Sequence, residues 1–142
     1  MSLDLDTART IIAETRASGR ASGFQPLTVV VLDAGGHVTA VEREDGSSNK
    51  RFEIAFAKAN GALAFGIGSR ALMARAEAFP SFVAGATTAI GGALIPVPGG
   101  VLVRDSSGQV IGAVGISGDN SDNDEAAGIA GIEAAGLSAD PG

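Results

Sequence analysis

The only histidine of the 142-residue chain, His37, follows Gly35 and Gly36 in the stretch VVVLDAGGHVTAVEREDG. Imidazole titrates near neutral pH and binds transition metals, so His37 is a candidate general acid or base and a candidate haem or metal ligand. The alternative is a polar side chain on the exposed face of a strand that begins after a turn. The residue type alone leaves both interpretations open.

Two cationic side chains are candidates for binding a carboxylate. Arg43 lies two residues before Asp45 on a predicted strand, so the two share a face. Arg43 suits a substrate carboxylate or a haem propionate, but an Arg–Asp pair at a surface contributes little. Lys58 lies off the Phe stripe of its predicted helix, which favours a solvated lysine. In a cleft, Lys58 would bind an anion or act as a base after partial desolvation.

The stretch GAVGISGDNSDNDE combines backbone donors with carboxylates. The N–H groups of residues 115–118 and the helix that follows resemble an anion-binding layout. Four acidic side chains in the same stretch repel an anion and suit a cation or a general base: Asp119, Asp122, Asp124 and Glu125. Their spacing is not that of a calcium-binding EF-hand loop, and no glycine run matches a dinucleotide or phosphate-loop pattern.

Periodicity and turn residues predict the elements that position these side chains. Four helices are expected. The first covers residues 4–22, and the second runs from a cap at Ser48 or Asn49 to Phe65. The third covers residues 70–79 with Ser69 as its cap, and the fourth covers residues 123–137 with Asp122 as its cap. Strands are expected over residues 26–33, 37–45, 100–104 and 109–117. Residues 80–100 are expected to be a loop with a short helical or strand piece.

The predicted order is therefore α-β-β-α-α-β-β-α. Two hairpins, with turns at residues 34–36 and 105–108, can join into a single antiparallel sheet with helices packed on its faces. This is an α/β (α+β) fold, and the length predicts one domain over residues 1–142.

Composition excludes several functions. The chain has no cysteine, which rules out disulfides, Cys-type zinc sites and thiol catalysis. Its net charge is −6, and after Arg104 it has seven acidic residues and no basic one, so we expect no nucleic-acid partner. Neither a signal peptide nor an apolar run of about 20 residues is visible, which favours a cytoplasmic protein without a membrane partner.

Four stretches of the chain, taken in order, resemble the haem-degrading domain family. They are VVVLDAGGHVTAVEREDGSS, AFAKANGALAFG, GALIPVPGG and GQVIGAVGISGDNSDNDEAAGIAGI. This family is also called the GlcG/HbpS family, and it includes the C-terminal domain of PduO-type corrinoid adenosyltransferases. The resemblance spans nearly the whole chain. The positions that match it are Asp33, Gly35, Gly36, His37, Arg43, Asp45, Lys58, Gly99, Gly100, Gly115, Ser117, Gly118, Asp124 and Glu125.

The resemblance implies a profilin-like α/β sandwich with a sheet of about five strands. It also implies homo-oligomers from dimers to octamers, and haem or a related tetrapyrrole as the ligand. Axial haem ligands are normally His, Cys, Met or Tyr, and this chain has no Cys or Tyr. Of its two methionines, Met1 is terminal and Met73 lies on a predicted helix where core packing is favoured. His37 is therefore the expected metal ligand, and the alternative is a weak site shared between subunits. The other residues expected to bind the ligand are Arg43, Asp45, Gly99, Gly100, Gly115, Ser117 and Gly118.

Two functions follow as hypotheses. The first is an intracellular oligomeric protein that binds haem or a related small ligand. The second is a cofactor-independent isomerase, tautomerase or lyase that moves a proton on a small organic acid. Its catalytic residues would be Asp33, Arg43, Lys58 and Glu125. The low aromatic content, 4%, disfavours a pocket that stacks on a porphyrin, whereas the family resemblance favours haem.

Overall fold

The first helix and the first hairpin form where the sequence predicts them. A computed structural model describes residues 2–142 of the chain. Helix α1 (Leu5–Ala21) is capped by Asp4, whose Oδ1 accepts a hydrogen bond from the Thr7 N–H at 2.8 Å. Strands β1 (Thr28–Asp33) and β2 (Val38–Arg43) then pair antiparallel across the glycine turn.

Seven elements follow this first helix and strand pair. Three helices come in succession, followed by a second hairpin, a helix and a short strand. Their bounds are α2 (Arg51–Phe65), α3 (Ser69–Ala78), α4 (Pro80–Ala89), β3 (Gly100–Arg104), β4 (Val110–Ser117), α5 (Ser121–Ala134) and β5 (Ser138–Asp140).

The strands form one antiparallel sheet in the order β2-β1-β4-β3-β5, which confirms the predicted fold class. Side chains alternate between its two faces. Val29 and Val31 pack with α1 and α5, whereas Val30 and Leu32 pack with α2. The sheet is therefore the middle layer between two helical layers, and a smaller apolar cluster lies under α3 and α4.

Three predicted helix caps were wrong. Helix α2 begins after Lys50 without a side-chain cap, because the Ser48 hydroxyl accepts from Arg51 Nε instead. Ser69 is the first residue of α3, and its hydroxyl accepts from the Gly100 N–H at 2.7 Å. Helix α5 is capped by Asn120 rather than Asp122. In each case the side chain that was expected to cap the helix contacts another group instead: Ser48 contacts Arg51, Ser69 contacts Gly100, and Asp122 contacts Arg70.

Two elements are absent from the predicted order. Residues 80–89, expected within a loop, form helix α4, which begins with Pro80, a residue whose fixed φ suits the first helical turn. The three-residue strand β5 pairs with β3 and completes the sheet, after a helix that ends at Ala134 rather than at residue 137. Within residues 2–142, no helix combines the length and the apolar character needed to cross a bilayer.

Candidate functional site

The Asp33 carboxylate organises the tip of the first hairpin. Its Oδ1 accepts hydrogen bonds from the N–H groups of Gly35 at 3.0 Å and His37 at 2.9 Å. The His37 ring closes the turn, since its Nδ1 lies 3.1 Å from the same oxygen. The backbone N–H of His37, followed by its ring, lowers the pKa of Asp33 below its ordinary value, although partial burial opposes this effect. Asp33 is therefore a carboxylate at neutral pH.

The charged state of Asp33 fixes the tautomer of His37. An ionised carboxylate only accepts hydrogen bonds, so Nδ1 of His37 must donate its proton to Asp33. The other ring nitrogen, Nε2, then carries a lone pair. The His37 side chain is 80% exposed, which leaves this lone pair free to bind a metal or accept a proton. A carboxylate behind an imidazole is the arrangement that orients metal-binding histidines.

Two glycines make this arrangement possible. A Cβ on Gly35 would lie 2.8 Å from Cε1 of the His37 ring, so a side chain there would displace the imidazole. Gly36 has φ +81°, a left-handed conformation that glycine adopts without strain. The predicted turn is confirmed, and Gly35 also determines where the imidazole lies.

The hairpin tip forms one wall of a cleft of about 400 Å³ that is open to solvent. Leu3, Val110 and Ile111 provide an apolar wall, and the polar groups are those of Ser2, Gln109, Asp33 and His37. None of the Lys or Arg side chains of residues 2–142 lines this cleft. A second hollow of about 250 Å³ lies behind the turn, between Gly36 and Asn60 of α2. The volume of the first cleft is in the range of small-molecule sites.

Lys58 is buried, so its predicted position on the solvent side of α2 was wrong. Its Nζ donates to the Ile116 carbonyl at 2.9 Å and to Asp124 Oδ2 at 3.1 Å. The two side chains are 3% and 1% exposed. Burial lowers the pKa of Lys58 and raises that of Asp124, while the opposite charge of each partner counteracts the shift. The pair ties α2 to the start of α5.

Arg43 and Ser117 lie at the far end of β1 from His37. Both are paired with Thr28, the first residue of β1, whereas Asp33 is its last residue. Five steps along a strand at roughly 3.3 Å each separate the two ends by about 17 Å. Arg43 donates to the Ser47 carbonyl at 2.6 Å, and Ser117 accepts from Arg51 at 3.1 Å.

Asp45 and Glu125 do not line the cleft at the hairpin tip. Asp45 is exposed and borders a shallow hollow beside Arg16 and Arg20. Both carboxylate oxygens of Glu125 accept from Arg70 Nε, at 3.1 and 3.0 Å, and Arg70 also pairs with Asp122. The structure therefore does not bring Asp33, Arg43, Lys58 and Glu125 to one site.

The predicted anion-binding glycines lie in close packing. Side chains at Gly100 and Gly115 would overlap the carbonyl groups of Lys58 and Ala55, so these glycines let α2 approach the sheet. A side chain at Gly99 would meet the Lys58 ammonium, and one at Gly118 would overlap the Pro26 carbonyl. Their role in ligand binding stays a prediction.

A metal at the hairpin tip would have His37 as its single side-chain ligand. Among residues 2–142, no three His, Asp or Glu side chains are grouped so that they could hold an ion. A single histidine is the usual protein ligand of an iron that already has four ligands from a tetrapyrrole.

Residues 3–133 match the family described as haem-degrading protein HbpS-like. The chain belongs to this family. No curated protein sequence matches the chain significantly. The match covers both the hairpin tip and the Lys58–Asp124 pair, so the family contains the candidate site within its own boundaries.

Solved structures of the family share this fold. A PduOC:haem complex superposes with a TM-score of 0.85 at 21% identity, covering 96% of this chain and 97% of that chain. The Klebsiella pneumoniae protein ORFY gives 0.82 at 22% identity, covering 93% and 89%. HbpS gives 0.80 at 24% identity, covering 94% and 89%. At these identities the superpositions establish the fold alone.

Sequence analysis missed the residues that line the cleft opposite His37. Val110 and Ile111 belong to β4, which pairs with β1 in the register Asp33↔Gly112. Leu3 precedes α1 and reaches the cleft because α1 packs on the sheet. The strand pattern of residues 109–117 was visible, but the pairing of β1 with β4 was needed to bring it beside Asp33.

Proposed function

We propose that this protein binds haem or a related metal tetrapyrrole at the tip of the first hairpin, where His37 would hold the metal. The observation that carries the proposal is the His37–Asp33 contact, which leaves Nε2 of an exposed imidazole free beside an apolar cleft. Family membership and the fold shared with a haem complex support the same ligand.

Each residue of the site has a defined task. His37 would hold the metal through Nε2, and Asp33 would keep the ring in place through its contact with Nδ1. Leu3, Val110 and Ile111 offer apolar contact to the edge of a macrocycle. Because no Lys or Arg of the described residues 2–142 lines the cleft, the carboxylates of haem would face solvent or another subunit.

Titration of the purified protein with hemin tests this site. We expect a saturable Soret shift at micromolar haem that His37→Ala abolishes. Arg43→Ala is the matched control, because Arg43 lies at the other end of β1 and its loss leaves the hairpin tip intact. An unchanged Soret shift in His37→Ala would overturn the assignment, as would equal losses in both variants.

The enzymatic alternative is not supported to the same degree. A proton-transfer site needs its base and its carboxylate-binding cation within one substrate length. Asp33 and Arg43 lie about 17 Å apart along β1, and Lys58 is enclosed with Asp124. No small acid can contact these three groups together.

We propose further that the protein works in the cytoplasm as a homo-oligomer. The family resemblance supports the oligomer, and the number of subunits is open between two and eight. Native mass spectrometry tests it by reporting the subunit number together with any bound ligand. Fractionation of the producing cells tests the location.

A further inference from the structure

Helix α4 (Pro80–Ala89) buries less of its surface than the other helices of the described chain. Val83 is its only buried residue. It packs chiefly on α3. The rings of Phe82 and Phe65 also meet edge to face, with their centroids 6.3 Å apart. Phe79 and Phe82 are nevertheless 65% and 60% exposed. A ten-residue helix is only marginally stable in water unless other groups cover its apolar side. Burial of this face by a partner would therefore stabilise α4.

The exposed side of α4 has a regular pattern. Phe82, Gly85 and Ala89 are spaced i, i+3 and i+7, which puts them on one stripe of the helix. Nothing lies within 4 Å of the position a Gly85 Cβ would take, so the backbone is open to close approach. The stripe therefore has one large protruding side chain, Phe82, next to a position without a side chain, Gly85.

We infer that α4 is the surface on which a second copy of this chain docks, with the two α4 helices antiparallel across a two-fold axis. In such a pair, Phe82 of each copy packs on Gly85 of the other, because two residues on one stripe exchange places under the two-fold operation. The inference rests on the proposed homo-oligomer and names its contact surface.

Charge favours a second copy as the occupant. The chain carries a net charge of −6, so two copies repel each other over most of their surfaces. Residues 78–103 contain no charged side chain, and α4 lies within them. Two copies can meet there without apposing like charges. A helix that binds a membrane surface carries Lys or Arg on its polar side, and α4 has neither.

The first experiment compares two charged variants of the same helix by analytical ultracentrifugation. Gly85→Glu puts a carboxylate into the proposed contact, where the single chain has open space. Ala84→Glu is the matched control, because its side chain is also exposed but points about 100° away from Gly85. We expect Gly85→Glu to reduce the subunit number at least twofold and Ala84→Glu to leave it unchanged. Circular dichroism checks that both variants fold.

The second experiment uses the absence of cysteine in the chain. Chains carrying Phe82→Cys and chains carrying Gly85→Cys are produced together and oxidised. We expect a disulfide-linked heterodimer in larger yield than the homodimer of either variant alone, since the two-fold contact joins position 82 to position 85.

The outcomes separate the two proposals. A monomeric wild-type protein would refute the homo-oligomer and, with it, the docking surface. An oligomer that survives Gly85→Glu and forms no mixed disulfide would refute only the α4 contact. If Gly85→Glu instead released a different protein from the natively isolated complex, α4 would bind that protein and not a second copy.

Discussion

The two ends of the central sheet use polar residues in opposite ways. At the end near residue 117, Lys58 and Asp124 are enclosed, and each of their hydrogen-bonding partners is a group of the protein itself. At the hairpin tip, His37 and Asp33 form a pair of the same length, 3.1 Å, but the imidazole is 80% exposed and keeps one nitrogen free. The comparison indicates that a buried polar pair serves the structure, whereas an exposed pair keeps a group available to a ligand.

Removal of the Lys58 charge has the largest expected effect and tests the enclosed end. Lys58→Met leaves Asp124 as an uncompensated buried carboxylate, so we expect a loss of about 3–5 kcal/mol of unfolding free energy. Urea denaturation followed by circular dichroism measures it. In Lys58→Met with Asp124→Asn, the amide still accepts from the Asp119 N–H, so the loss is expected to be smaller. Equal stability of Lys58→Met and wild type would contradict a structural pair.

Asp33→Asn tests the exposed end. The amide oxygen still accepts from the N–H groups of Gly35 and His37, so the turn is kept, but the charge behind the imidazole is lost. Removal of such a partner typically lowers metal affinity about 10–100-fold, and we expect this loss for hemin. Hemin titration measures the affinity, and urea denaturation is expected to show little change. If Asp33→Asn lost much stability while its affinity for hemin stayed unchanged, the His37–Asp33 pair would serve the structure and not a ligand.

Gly35→Ala is expected to weaken hemin binding less than Asp33→Asn does. The added methyl group would lie 2.8 Å from Cε1 of the His37 ring, and this exposed ring has room to turn aside. The imidazole then loses its alignment with Asp33 while the fold is retained. Nuclear magnetic resonance of the imidazole and hemin titration report both changes, and an unmoved ring with wild-type affinity would refute the positioning role.

The smallest expected effect is the acid titration of the turn. The pKa of Asp33 lies below its ordinary 3.8, so the folded turn binds the proton more weakly than the unfolded chain. Its contribution to stability is complete above that ordinary value and is lost as the pH falls through the lowered pKa. Amide chemical shifts of Gly35 and His37 should change in this acidic range in wild type and stay constant in Asp33→Asn. A midpoint above 3.8 for this acidic transition would contradict the direction of the Asp33 shift.

The position of Lys58 illustrates why the enclosed end was not predicted. The sequence analysis took Phe52, Phe56, Ala59 and Leu63 as the buried stripe of α2, from which Lys58 points away. The structure buries the stripe of Ala55, Ala59 and Ala62, and the Phe rings are only half-buried at its side. Lys58 is about 60° from Ala55 around the helix, on the side opposite the Phe rings. Glycines in β3 and β4 let the alanine stripe approach the sheet closely.

Periodicity, turn residues and composition determined the two hairpins, the fold class, helices α1, α2, α3 and α5 to within a few residues, and His37 as the only histidine that could bind a metal. These features depend on neighbours in the chain. Tertiary structure alone decided the burial of Lys58 with Asp124, 66 residues apart, the approach of Val110 to His37, and the exposure of α4. Those contacts depend on how α2, β4 and α5 pack. The free energy needed to bury a charged side chain is set only after that packing is fixed, because it depends on how far the side chain is removed from water.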